Sequence, residues 1–287
     1  MKSKGTWRAG YETVSNIRMF YRDWRPAGGE DSPPIIALHG SLSQSGMWYA
    51  SAEALARTRF VCIDQRGFGR SADPGGGDAA ADLARDAVEL ANALMIQRFI
   101  IMGHSFAGSI ALQVAASEPE RVAAAVLVDP TVRGPKGNRL NLEATRNRPE
   151  GFESLAEAAK FWRTSEEGIW LARHTDRFVR DIMEYEGEDG PCRMPFKKDR
   201  LLRLRIFQAS EAGDYDPVRI AKRVKCPVLI FRGGQSRRLS AESVRKLRQA
   251  LPKGAKALLC PKAGHFPPVS QPRLFQKGLR EFLAKVK

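Results

Sequence analysis

Residues 100–112 read IIMGHSFAGSIAL. Ile100, Ile101 and Met102 form a short apolar run of the kind that makes a buried strand. From Ser109 the chain continues as an Ala-rich helical stretch that stops before Pro119. Between the two lies Gly103-His104-Ser105-Phe106-Ala107-Gly108, a strand-to-helix turn with serine at its apex. That is the context of a nucleophile elbow. Small residues either side of the serine let the strand and helix approach closely. The serine then stands at a helix N-terminus, and the amide of Phe106 is aimed at a developing oxyanion. Ala107 stands where the motif usually has glycine, and its one methyl group predicts a slightly tighter turn.

Outward from this turn, apolar runs alternate with helical patterns, as in βαβ units with a mostly parallel sheet. YETVSNIRMFYRDW (11–24) reads as an antiparallel pair, and PPIIALHG (33–40) as a short buried strand. A helix near residues 47–57, the strand RFVCIDQRG (59–67) and a helix over 79–95 follow. After the elbow come the strand RVAAAVLVDP (121–130) and, much later, CPVLIFRGG (226–234), a helix over 241–251, AKALLCP (255–261) and a terminal helix. Between residues 132 and 214 the rhythm breaks into helical pieces rich in Arg, Glu and aromatics. One of them, SLAEAAKFW (154–162), opens with Ser154 three residues before Glu157, a capping-box pattern. The expected fold is therefore α/β, with a mostly parallel central sheet flanked by helices. The core comprises residues 1–131 and 215–287, and 132–214 is a helical cap.

Composition narrows the class. The chain has 287 residues, 43% apolar and 28% charged, which is ordinary for a globular protein. The N-terminal MKSKGTWRAGYETVS has no apolar stretch behind its basic residues, so no signal peptide is expected. No apolar run approaches the roughly 18–20 residues that span a bilayer. Cys62, Cys192, Cys226 and Cys260 have neither CxxC nor Cys/His metal spacing. Three of them lie in or beside apolar strand-like runs, so a reduced, cytoplasmic chain without metal or cofactor is expected. The net charge of +15 and pI of 10.0 are spread along the chain and mixed with acids. The densest patches, FKKDRLLRLR (196–205) and RIAKRVK (219–225), lack any zinc-finger or RNA-binding pattern. A solvated basic surface is expected, with no nucleic-acid or membrane partner. Oligomeric state is not legible.

LHGS (38–41), DQRGFGRS (64–71), GHSFAG (103–108), LVDP (127–130) and AGHFPP (263–268) occur in an order and spacing that resemble the α/β-hydrolase superfamily. The resemblance spans nearly the whole chain and is weak only in the insertion, where the family has its variable cap. It implies Ser105 as nucleophile and His265, just after the last strand, as the base. His265 would accept the serine proton and later pass it to the leaving group. It also implies a backbone oxyanion hole formed by the amides of Ser41 and Phe106, with Leu42 the near alternative to Ser41. In DQRGFGRS, Asp64 and Arg66 are expected to hold the loop together. His104 is read as a packing residue and His174 as a surface or cap histidine.

The acid is less direct. Family members usually carry it in the turn that reads RGGQSRRLS here (232–240), where Gln235 and Ser236 bear no charge. Some members carry it one strand earlier, and there AAAVLVDP offers Asp129. An Asp-Pro turn needs no catalytic role. Asp214, Asp216 and a dyad without an acid remain alternatives.

Trp162, Trp170, Met194 and Phe196 in the insertion are expected to line an apolar pocket above Ser105, with Leu42, Trp48 and Phe106 near its floor. The expected reaction is cofactor-free hydrolysis of a carboxylic ester or lactone of a small, partly hydrophobic substrate. Two rivals are a carbon–carbon bond hydrolase for an anionic dienoic or β-diketone substrate and a non-catalytic ligand-binding homologue. Haloalkane dehalogenases and soluble epoxide hydrolases need Asp where Ser105 stands.

Overall fold

In the computed structural model the described chain opens with a hairpin of two ten-residue strands, β1 (Gly5–Val14) and β2 (Ile17–Pro26). Its two turn residues, Ser15 and Asn16, both have positive φ, at 49° and 59°. Such turns match the right-handed twist of the paired strands, and Asn accepts the conformation readily. The structure describes residues 5–41, 43–55, 57–132, 149, 151–164, 175–185, 191–193 and 216–286.

Six further strands complete the main sheet: β3 (Ile35–Leu38), β4 (Phe60–Ile63), β5 (Phe99–His104), β6 (Val122–Val128), β10 (Val228–Gly233) and β11 (Lys256–Cys260). Their order is β1-β2-β4-β3-β5-β6-β10-β11, antiparallel as far as β4 and parallel thereafter. The central strands β3 to β6 are buried along their whole length, which is why they read as unbroken apolar runs without alternation.

Residues alternate between two cores, one on each face. Ile36, Ile101, Ala125 and Ile230 pack with α2 (Ala80–Ala93), α3 (Phe106–Ser117) and α7 (Ala241–Ala250). Ile35, Ile100, Val126 and Phe231 pack with α9 (Pro272–Leu283) and with the insertion.

Three sequence expectations change. The helix near residues 47–57 is a 3-10 turn (Ser45–Trp48) followed by the short α1 (Tyr49–Ala54). The insertion is not helical throughout. Besides α4 (Leu155–Thr164) and α5 (Thr175–Ile182), it contains a small antiparallel sheet. Its strands β7 (Gly151–Phe152), β8 (Glu184–Tyr185) and β9 (Cys192–Arg193) are two residues each, too short to leave a periodic signal. Ser154 caps α4 by accepting the amide of Glu157, but the Glu157 carboxylate reaches back to the amide of Glu153 instead of Ser154.

The insertion docks on the core through α5. Val179, Ile182 and Met183 join the cluster that contains Trp48 and Met47. Gln44 donates to the carbonyl of Met183, and Arg177 faces Glu53 at 3.7 Å. A Cβ at Gly46 would lie 1.9 Å from the carbonyl oxygen of Asp181, so the close approach of α5 to the 3-10 turn needs glycine there.

Candidate active site

The C-terminal ends of the parallel strands β3, β5, β6 and β10 converge on one edge, the usual place for ligand chemistry in an α/β sheet. β5 delivers Ser105 there. Its φ of 58° and ψ of −123° are strained for a non-glycine residue and belong to the sharp turn into α3. The crowding falls on the neighbouring glycines. A Cβ at Gly103 would lie 2.0 Å from the carbonyl oxygen of Ala107, and one at Gly108 would lie 2.6 Å from Cβ of Pro130. Ala107 itself is fully buried, so its methyl group is accommodated.

His265 follows β11 in the loop before the short α8 (Pro267–Ser270). Its Nε2 lies 2.8 Å from Oγ of Ser105 and its Nδ1 lies 2.7 Å from Oδ2 of Asp129. With Nδ1–H donating to the carboxylate, Nε2 is left as the acceptor for the serine hydroxyl, the tautomer a general base requires. Of the three, only Asp129 is wholly shielded from solvent. The Asp129 side chain has no exposure, that of His265 retains 12%, and Ser105 retains 9%.

Asp129 sits immediately past β6 with φ of 44°, a second strained position beside Ser105. β6 pairs with β10 in a register that sets Val128 beside Phe231, so Asp129 comes level with the turn after β10. Its amide donates to the carbonyl of Phe231. Asp216 is elsewhere, capping α6 (Pro217–Ala221) by accepting the amides of Val218 and Arg219.

Three further histidine and cysteine contacts frame the trio. His104 donates from Nε2 to the carbonyl of His265 at 2.7 Å, and its ring packs at a tilt against those of His265 and Phe266. Burial and then the neighbouring His265 push its pKa well below the usual histidine value, so it is neutral. His39 is also buried and its pKa lowered, chiefly by desolvation. Its Nε2 accepts the amide of Gln65, leaving Nδ1–H to donate to the carbonyl of Gly40. Burial, with the Asp129 charge second, pushes the Cys260 thiol up to about 12 and keeps it protonated.

Gly40 lies against the elbow: a Cβ there would be 3.3 Å from Cβ of Ser105. Ser41, the next residue, follows it at the same edge, and Phe106 opens α3 directly after Ser105. The DQRGFGRS loop is tied as expected, through partners the sequence did not name. Asp64 accepts the amides of Ser45 and Arg70, and Arg66 makes a bidentate pair with Asp86 on α2.

The apolar pocket is less visible. Trp48 and Trp162 have no accessible surface and pack between the insertion and the sheet, so in this structure they serve as packing residues. Leu42, Trp170, His174, Met194, Phe196 and Asp214 lie outside the described residues. Among the described residues no helix is long and apolar enough to cross a membrane.

A family model for the alpha/beta hydrolase fold matches residues 33–272. A relative from Klebsiella pneumoniae (strain 342), named "Putative carbamate hydrolase RutD", is 29% identical over 264 residues, covering 90% of this chain and 94% of the relative. The crystal structure of E-2-(acetamidomethylene)succinate hydrolase superposes with a TM-score of 0.82 at 23% identity, covering 96% of this chain and 99% of that one. The enol-lactonase from Burkholderia xenovorans LB400 gives 0.75 at 22%, covering 96% and 100%. Likeness at such identities speaks to fold alone. With the family model spanning both the elbow and the His265 loop, the chain belongs to the α/β hydrolase fold family.

Proposed function

We propose that this protein is a serine hydrolase that cleaves a carboxylic ester or lactone through an acyl-enzyme on Ser105. The observation that carries the reading is the continuous hydrogen-bonded chain from Ser105 through His265 to Asp129. His265 Nε2 takes the hydroxyl proton as Oγ attacks the substrate carbonyl carbon. Asp129 stabilises the imidazolium that forms. The amides of Ser41 and Phe106 hold the oxyanion of the tetrahedral intermediate. Collapse expels the alcohol, which receives its proton from His265. Water, deprotonated by the same imidazole, then attacks the acyl-enzyme and frees the acid.

The oxyanion donors act only once charge develops, and each contributes about 3–4 kcal/mol in comparable enzymes. The name of the Klebsiella relative concerns hydrolysis at a carbamate carbonyl, which the same groups can perform, so a carbamate belongs in the test. The test is turnover of a panel of p-nitrophenyl esters of increasing acyl length, γ- and δ-lactones, and a p-nitrophenyl carbamate. Turnover of esters or lactones that disappears in Ser105→Ala supports the reading. Turnover of the carbamate alone moves the substrate class to carbamates, and no turnover of any member refutes the proposal.

A further inference from the structure

The turn after β10 lacks a carboxylate, yet it grips one. Oδ1 of Asp129 accepts the amide of Gly233 at 2.9 Å. Oδ2, the oxygen that receives Nδ1–H of His265, also accepts the hydroxyl of Ser236 at 2.5 Å. The Ser236 oxygen in turn accepts the amide of Arg238 at 3.2 Å, which turns its hydrogen toward Asp129. The turn is itself pinned to the His265 loop, because Gln235 donates its amide to the carbonyl of Ala263 and Gly234 donates to that of Cys260.

We propose that Ser236 is a positioning residue for the reaction, fixing the plane of the Asp129 carboxylate against His265. This rests on the reading of Ser105 and His265 as nucleophile and base. The terminal torsion of an aspartate is soft. Held at Oδ1 alone, the carboxylate can swing about the Gly233 contact and carry Oδ2 away from Nδ1. Held at Oδ2 as well, by a neutral donor outside the line to His265, it keeps one orientation. Ser236 has the right chemistry because a hydroxyl donates without adding charge, whereas a second carboxylate there would repel Asp129 and an ammonium would compete with the imidazolium. The turn thus holds the acid that the neighbouring strand supplies.

The experiment compares Ser236→Ala and Ser236→Thr with wild type on a p-nitrophenyl ester, with the rate of fluorophosphonate labelling as a control. In Ser236→Ala, kcat is expected to fall on the order of tenfold with KM within about twofold, because the lost bond matters most when the imidazolium forms. Removing a donor from the carboxylate also concentrates its charge on His265, so the acid limb of kcat/KM moves to higher pH. Ser236→Thr keeps the hydroxyl and is expected to retain kcat and the position of that limb. A Ser236→Ala enzyme with unchanged kcat and pH profile overturns the proposal. So does an equal loss in both variants with the acid limb unmoved, the signature of a damaged turn. A wild-type protein that takes no fluorophosphonate overturns the serine-hydrolase reading and this proposal together. Normal wild-type labelling beside an unaffected Ser236→Ala removes only the role of Ser236.

Discussion

His265 and Asp129 are 136 positions apart in the chain, and their side chains meet at 2.7 Å. The meeting depends on strand order. β6 and β10 are neighbours in the sheet, so an acid at the end of β6 approaches the same imidazole as one in the turn after β10.

Asp129→Asn tests that relationship. Asparagine can still accept from Gly233, so the fold should survive, but the charge that orients and stabilises the imidazolium is gone. We expect kcat to fall by about 10³–10⁴-fold with an unchanged near-UV circular dichroism spectrum. Asp216→Ala should do the reverse, costing about 1 kcal/mol as a lost helix cap and leaving kcat at the wild-type level. Activity that survives the first change and collapses with the second would reassign the acid.

Gly40→Ala probes the spacing between the loop after β3 and the elbow. The new methyl carbon would lie 2.5 Å from Nδ1 of His104 and 3.3 Å from Cβ of Ser105. The His104 ring is buried and bonded to the carbonyl of His265, so any shift is passed to His265. A drop in kcat of about 10–100-fold is expected, together with a loss of about 1–3 kcal/mol in urea unfolding. Wild-type kcat in this variant would show that the loop has room the structure does not show.

Asp181 gives a pH-dependent prediction away from the chemistry. Burial at the contact of α5 with the core pushes its pKa up to about 6, although Arg177 and Arg22 pull the other way and Glu53 adds to the rise. Because the folded value exceeds the unfolded one, its stabilising contribution is complete below about pH 4 and is lost as pH rises through about 6. Asp181→Asn should therefore stabilise the protein at pH 8 by about 1–3 kcal/mol, with the difference vanishing near pH 4. Urea unfolding of both proteins at the two pH values measures this, and comparison at fixed pH cancels the contributions of His39 and His104. A destabilised variant at pH 8 would mean that the Arg177 pair outweighs desolvation.

The elbow was legible because its signal is local: a strand, a serine between small residues, and a helix within thirteen positions. His265 was legible as a loop histidine after a strand once the family resemblance supplied the partner. Asp129 could be reached only by noticing that residues 232–240 hold no acid, since Asp-Pro after a strand is otherwise an ordinary turn. His104 was legible as a packing residue, but its bond to the carbonyl of His265 and the contact of Ser236 with Asp129 were not. Both depend on which strand ends lie side by side, and neither Gln235-Ser236 nor a histidine before the serine has a pattern that reports it. The strands of the small sheet escaped for a different reason, since two residues cannot display a period of two. Trp48 and Trp162 looked like pocket walls because an aromatic residue at helical spacing reads the same whether it faces a ligand or another helix.

The most direct test of the central claim is intact mass after treatment with a fluorophosphonate. The account predicts a single adduct on the wild-type protein, located at Ser105, none on Ser105→Ala, and strongly slowed labelling of His265→Ala. A wild-type protein that gains no mass, or a Ser105→Ala protein that gains the same mass at the same rate, would contradict it.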